Sequence, residues 1–198
     1  MIKMMSLMMS LVLMFYSQIG FADDKEAVAQ LLDTTFKSVF TILDRKDIDQ
    51  QTKNNEVLKV VTPLFNFSLM AQLSLKKYWP TLTDAQKEKF ISLFTENLQR
   101  SYLDYLALYT NEKITQEAPV QEGNKLYVQT YLLSKVSKIS MLYKFYSSAK
   151  GLQIYDFELQ GTSIMKTKQT DYYQVMEKSS FDDLLLFLSK NAKPSPSK

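Results

Sequence analysis

The 198-residue chain contains no cysteine and no histidine, and each absence removes a class of chemistry. Without thiols there is no disulfide framework and no thiol redox centre. Without imidazole or thiolate the common nucleophile–base pairings and the usual transition-metal sites are excluded. Glycine is scarce, at 4 residues, and none of them forms a phosphate-cradling loop or a Gly-x-Ser-x-Gly elbow. Charge is scarce in the net sense. The formal balance is +3 and the basic residues are scattered, which is too mild for a nucleic-acid partner. What the chain has in quantity is aromatic surface, with 12 Tyr and 12 Phe against a single Trp. Its length fits one domain that buries roughly 70% of its unfolded surface.

The amino end reads as a leader. Lys3 precedes an apolar stretch, residues 4–15, and Gly20 and Ala22 are small residues placed as at a cleavage site before Asp23 and Asp24. Six of the 10 methionines lie in it, at 1, 4, 5, 8, 9 and 14. The apolar run is shorter than the roughly 20 residues a membrane-spanning helix needs, which favours cleavage over an uncleaved anchor. Residues 1–22 are expected to be a signal peptide, 23–190 a single domain and 191–198 a flexible tail, with the domain exported to a periplasm.

Helical periodicity dominates the first half. Val28, Leu31, Leu32, Thr35, Phe36, Val39, Ile42 and Leu43 trace an amphipathic helix ending near Asp44. The polar stretch 44–56 reads as a solvated loop, since its acids at 44, 47 and 49 lack the glycine and bidentate Glu of a calcium loop. Pro63 and Pro80 are expected to stop helices, and Asn66 to cap the helix between them. Thr83 and Gln86 have capping-box spacing, followed by a stripe of Phe90, Leu93, Phe94, Leu98, Tyr102, Tyr105 and Tyr109.

From about residue 113 the period becomes two. Segments 113–119, 125–133, 139–146 and 152–160, separated by turns at Gly123, 135–138 and Gly151, predict a four-stranded antiparallel meander. Leu126, Val128, Thr130 and Leu132 share one face, as do Ile139, Met141, Tyr143 and Phe145. Tyr127, Tyr131, Leu133, Tyr155, Phe157 and Leu159 are assigned to the other, so helices are expected over much of both faces. Gly161 marks the corner where the sheet ends, with Thr162 or Ser163 capping a helix to about Lys178 and a last helix over 181–190. The fold class is α+β, with several helices on the meander.

Little catalytic chemistry remains. Asp104 and Asp156 are the candidate carboxylates, and for each a structural hydrogen bond is the simpler role. A sheet covered by helices, rich in aliphatic and aromatic residues and poor in reactive groups, suggests a binding module for an apolar ligand. Exposing a methylene to water costs about 0.8 kcal/mol, so a lipid with roughly 30 of them faces on the order of 20 kcal/mol on leaving a membrane unaided. A cavity of several hundred Å³ lined by Leu, Met, Phe and Tyr would remove most of that barrier.

The stretches 62–109 and 155–188 resemble the MlaC family of periplasmic phospholipid carriers, also called toluene-tolerance auxiliary proteins. The resemblance rests on Pro63-Leu64-Phe65-Asn66-Phe67, on Lys77-Tyr78-Trp79 before the Thr83 helix start, and on Tyr155-Asp156 ahead of Gly161-Thr162-Ser163. It implies a non-enzymatic carrier without cofactor that holds acyl chains between sheet and helices. It also implies two partners, an inner-membrane ABC transporter with an MCE-domain ring and an outer-membrane lipoprotein–porin complex. Facing and family pattern together nominate Val128, Thr130, Leu132, Met141, Tyr143 and Phe145 of the sheet as lipid-binding. Leu69, Leu98, Tyr102 and Met165 are the helical nominees. Three positions depart from the family: Asn66 where it often has an acid, Ser74 where it has a glycine, and Lys168 near its arginine. A carrier for a hopanoid or polyprenyl lipid, or a structural adaptor with a filled interior, are the alternatives.

Overall fold

The structure, a computed structural model, describes residues 19–107, 112–134, 137–148 and 151–191. The expected leader up to residue 18, the tail from 192, Tyr109 and the turn residues 135–136 lie outside them. Six α-helices and an antiparallel sheet make an α+β fold. Among the described residues no helix is long and apolar enough to cross a membrane.

Helix α1, Ile19–Asp44, ends where the apolar stripe ends. Its Thr35 is 8% exposed within that stripe because its hydroxyl donates back to Leu31 O at 2.7 Å. The polar stretch after it is not all loop. Helix α2, Gln50–Val61, starts inside it, capped by Asp49, whose carboxylate accepts from Thr52 N at 2.7 Å. Gln50–Asn54 and Gln51–Asn55 side-chain bonds support its outer face, while Val57 and Val61 supply a narrow buried one. With so few apolar residues, its period is hidden among polar side chains.

The prolines act as stops. A 3₁₀ turn carrying Pro63 follows α2, and another carrying Pro80 follows helix α3, Phe67–Leu75. Asn66 caps α3 through Leu69 N at 2.9 Å. Its amide also donates to Tyr146 Oη at 2.6 Å and Gln153 Oε1 at 2.9 Å, fastening the helix start to the sheet. The Asn66 amide thus supplies a donor that a carboxylate at this position would lack.

Helix α4, Asp84–Leu106, opens with the Thr83–Gln86 capping box. Its buried residues are Phe90, Leu93, Phe94, Asn97 and Leu98, whereas Tyr105 at the end of the expected stripe is 61% exposed. Asn97 is the polar member of this face, and it donates to Leu93 O at 2.7 Å and to Leu188 O at 2.9 Å. The second bond ties α4 to the last helix. Helix α5, Ile164–Lys178, is capped by Ser163, and helix α6 covers Phe181–Asn191. Phe90, Phe94, Tyr172 and Phe181 form the aromatic centre of the core between α3, α4, α5 and α6.

The sheet has six strands rather than four: β1 Lys113–Gln116, β2 Val120–Glu122, β3 Lys125–Leu133, β4 Lys138–Ser148, β5 Gly151–Leu159 and β6 Thr162–Ser163. The order is β1-β3-β4-β5-β6, and β2 pairs with the other end of β3. The predicted first strand, 113–119, is strand only as far as Gln116, and β2 lies beyond it on the same edge, after Pro119, which has no N–H to donate. The sixth strand is a hairpin return at the glycine corner. Gln160 and Gly161 both have positive φ, +51° and +76°, as a two-residue primed turn requires.

A bulge between Lys144 and Phe145 moves the register, so that Lys144 pairs with Asp156 and Phe145 with Ile154. Tyr155 is the extra residue. Phe157 and Leu159 therefore share a face with Val128 and Thr130, opposite to the face that strict alternation assigns them. All sheet residues in the buried clusters come from this inner face. The outer face carries half-buried Tyr127, Gln129, Tyr131 and Leu142 without a helical cover of that kind.

Asp156 holds the corner together. Its carboxylate accepts from Lys144 Nζ at 3.0 Å, Ser163 Oγ at 2.8 Å and Met165 N at 3.1 Å. Burial disfavours the charge on Lys144, but hydrogen bonds to Glu158 and Asp156 outweigh it and raise its pKa. Replacing Asp156 with Ala leaves the half-buried Lys144 ammonium with Glu158 alone, at 2.7 Å, and removes the acceptor of Met165 N in the first turn of α5. It should cost about 3 kcal/mol in urea unfolding. Tyr172 presents the opposite case: it is 1% exposed and its hydroxyl has no hydrogen-bond partner among the described residues. Tyr172→Phe removes an unpaired buried group, so its melting temperature should equal or exceed that of the native protein in the same calorimetric scan.

Candidate functional site

Residues directly opposed across strands share a face, so the register sorts the inner face into four rows. The first is Leu126, Phe145 and Ile154, the second Val128, Tyr143 and Phe157, and the third Thr130, Met141 and Leu159. The fourth is Ile114, Leu132 and Ile139. The first row is wholly buried, the second and third each keep one buried member, Val128 and Thr130, and the fourth has none. The first row is sealed beneath Val28 and Leu32 of α1 and Leu64. Tyr143, Phe157, Met141, Leu159, Leu132, Ile139 and Ile114 are all half-buried. Thr130 alone breaks the apolar run, fully buried with its hydroxyl donating to Met141 O at 3.2 Å. At about 3.4 Å per residue, the second row lies about 13 Å from the fourth.

The second row is where the sheet meets the helices. Phe36 of α1 lies 5.9 Å from Tyr143, which stacks on Phe157 at 6.4 Å. Phe65 approaches Phe157 edge-on at 6.3 Å and stacks on Phe67 at 5.5 Å. Beside Phe157 is a cavity bounded by Leu58, Val61 and Thr62, by Phe65 and Phe67, and by Leu98, Gln99 and Tyr102 of α4. Its volume is about 30 Å³, enough for roughly one or two waters and far below the expected chamber. The physical reason is the cost of emptiness. An unfilled apolar chamber of ~300 Å³ would destabilise the fold by about 7 kcal/mol, comparable to the whole stability of a small domain. Phe65, Phe67 and Phe157 fill the space instead.

Few polar atoms reach this region. Gln99 Nε2 donates to Thr62 Oγ1 at 2.9 Å, bridging α4 to the end of α2. The Tyr143 hydroxyl donates only weakly, to Met141 Sδ at 3.9 Å. Burial pushes both phenol pKa values upward, and that of Tyr102 is raised further by its proximity to Tyr143. Both stay neutral at any physiological pH. No charged side chain lines the cavity.

A roomier concavity, about 380 Å³, opens at the corner formed by Gly161, Thr162, Ser163, Lys166, Thr167 and Thr170. Three of its hydroxyls are committed within the protein: Thr167 donates to Ser163 O and Thr170 to Lys166 O, each at 3.0 Å, and Ser163 donates to the Asp156 carboxylate at 2.8 Å. Neither carboxylate candidate forms a catalytic pair. Asp104 is exposed, 3.8 Å from Arg100 Nε, and Asp156 is the corner staple. Among the described residues no group of acidic side chains could hold a metal ion.

Of the ten nominated residues, Leu98 and Tyr102 line the cavity, and Tyr143 stands beside it in the second row. Thr130, Met141 and Leu132 continue the inner face in the third and fourth rows. Val128 and Phe145 share that face but are sealed in the core under α1. Met165 sits among the aromatic residues of the helical core, and Leu69 is half-buried in the first turn of α3. The periodicity reading did not nominate Leu58, Val61, Phe65, Phe67, Gln99 or Phe157. Phe65 and Phe67 lay in the quoted Pro-x-Phe-x-Phe segment, where their spacing was visible without their direction. Phe157 was hidden by the bulge.

Comparisons with known proteins fit this geometry. A family profile described as MlaC protein matches residues 33–190. The intermembrane phospholipid transport system binding protein MlaC of Haemophilus influenzae is 22% identical over 136 residues. That match spans 66% of this chain and 64% of the relative, just under two thirds of the relative's length. A phospholipid-binding protein from Ralstonia solanacearum, solved in complex with a phospholipid, superposes with a TM-score of 0.72 at 18% identity, covering 86% of this chain and 97% of that one. Because the profile runs from the middle of α1 to the end of α6, the chain belongs to the MlaC family.

Proposed function

We propose that the protein is a carrier that takes up the acyl chains of a phospholipid between the inner sheet face and the wall made by α2, α4 and the Phe65–Phe67 segment. The observation that carries this reading is the gradient of exposure on one apolar face. Its rows run from a sealed core, past the cavity at Phe157, to the half-open residues Met141, Leu159, Leu132 and Ile139. An ordinary core has no reason to extend an apolar face toward solvent in this way. The phospholipid named for the Haemophilus relative and held by the Ralstonia structure supplies the ligand class.

Two acyl chains need several hundred Å³, so loading requires the sheet and the helical wall to part. The side chains that must yield are Phe65, Phe67 and Phe157, whose stacking contacts are worth about 1 kcal/mol each. Acyl chains replace that contact with equivalent apolar surface, so the exchange is nearly balanced. A carrier must release its cargo, and near-balance serves that end. Export to the periplasm, with handover between an inner-membrane MCE-domain ABC transporter and an outer-membrane lipoprotein–porin complex, completes the reading. Chemistry on the lipid is no part of it.

Native mass spectrometry of gently purified protein should find a diacyl phospholipid bound at 1:1. A different apolar mass would instead mark a carrier of another lipid, and a bare chain would favour an adaptor with a filled interior. Met141→Trp enlarges a half-exposed residue of the third row. It should reduce lipid loading at least fivefold while shifting the melting temperature by no more than a few degrees.

A further inference from the structure

Oxidation turns the apolar thioether of methionine into a sulfoxide, a polar group whose oxygen accepts hydrogen bonds. The four methionines beyond the expected leader meet different surroundings. Met70 and Met165 are buried in the helical core, and Met176 of α5 is half-buried against it. Met141 alone of the four stands on the inner sheet face, half-buried between Thr130 and Leu159 in the third row. Its main chain is pinned there, because Met141 O accepts from Thr130 Oγ1 at 3.2 Å and from Gln129 Nε2 at 3.1 Å. Its sulfur has a donor as well. The Tyr143 hydroxyl, two residues along the same face, donates to Met141 Sδ at 3.9 Å. A thioether is a weak acceptor, so this phenol is held beside an atom that uses little of its donor strength. An oxygen added to that sulfur would take the same proton in a far stronger bond.

We propose that Met141 is a modification site, at which a peroxide oxidises the thioether to a sulfoxide that Tyr143 holds, and that the modified third row turns acyl chains away. The proposal rests on the carrier reading and adds a means of switching loading off. In the step, the sulfur attacks one oxygen of hydrogen peroxide. An S–O bond forms as the O–O bond breaks, and the departing oxygen leaves as water with the proton of the oxygen transferred. Sulfur is oxidised by two electrons and the peroxide is reduced by two. The product is stable within the fold because its oxygen has a donor already in place, whereas an unpaired one on an apolar face would be costly. For an acyl chain the same row has changed from oil to a dipole. Cargo lying on the row covers the sulfur, so a loaded carrier resists the oxidant and an unloaded one does not. The change is reversible in kind, since methionine sulfoxide reductases remove the oxygen, one enzyme for each epimer.

The test treats the full exported chain with hydrogen peroxide, before or after loading from phosphatidylglycerol vesicles. Peptide mass spectrometry then maps each methionine, and native mass spectrometry counts bound lipid. Met141 sulfoxide should accumulate while Met70 and Met165 stay reduced, and prior loading should slow its formation about fivefold. Loading after treatment should fall about tenfold and recover when both reductases act. Met141→Leu protein should load equally before and after peroxide, whereas Met176→Leu protein should lose loading as the native protein does. Tyr143→Phe removes the donor, so peroxide should lower its melting temperature by about 3 °C or more, against about 1 °C or less for native protein. The proposal is overturned if Met141 stays reduced while Met176 oxidises, or if its sulfoxide forms without loss of loading. Equal losses in the Met141→Leu and native proteins, or equal melting shifts with and without the Tyr143 hydroxyl, would also overturn it. Each of these results leaves the carrier standing. Failure of untreated native protein to take up lipid would overturn the carrier and the switch together.

Discussion

The fold is governed by the need to keep one apolar sheet face covered. Four rows of aliphatic and aromatic side chains cannot all be left in water, and α1 seals only the first of them and Val128 of the second. Part of the remainder meets side chains from α2, α4 and the Phe65–Phe67 segment, which close the space beside Phe157 to about 30 Å³. Two cores follow from this division. One is a helical block around Phe90, Phe94, Tyr172 and Phe181, and the other is the sheet under α1. The candidate site lies along the seam between them, where aromatic rings meet edge-on or stacked and several residues are only half-buried.

Polar devices hold the two halves in register. Asn66 ties the start of α3 to β4 and β5, Asp156 ties the start of α5 to β5, and Asn97 ties α4 to α6. Each satisfies backbone or amide groups that would otherwise be stranded in an apolar setting. None of the three faces the cavity. Rigid fastening around a compliant seam is an arrangement that lets one face open without unfolding the rest.

Much of this was legible in the residues. Thr83 with Gln86, Asn66, Ser163 and the glycines at 123, 151 and 161 carry local rules that need no tertiary information, and each stands where the structure uses it. What escaped depended on neighbours. Helix α2 shows so little apolar periodicity that only its packing against α1 reveals it. The inner placement of Phe157 and Leu159 depends on a bulge set by pairing with β4, and alternation alone misassigns both. Asp156 could be singled out, but its partners Lys144 and Met165 come from elements that only the fold brings together. For the candidate site, the nominated sheet residues share the inner face, while depth along it required the register. The size of the cavity could not be read at all, because composition does not distinguish a chamber from side chains that close it.

The edges of the sheet have a further consequence. At one side Pro119 splits the terminal ladder into β1 and β2, and at the other the short β6 and the bridge from Phe65 to Ile154 occupy the outer strand. Among the described residues no long, regular run of unpaired amides is offered on either flank. Open flanks with long runs of unpaired amides would make such a sheet prone to pair with its neighbours and grow into fibrils. Interrupted margins let many copies of the fold sit side by side without joining sheet to sheet.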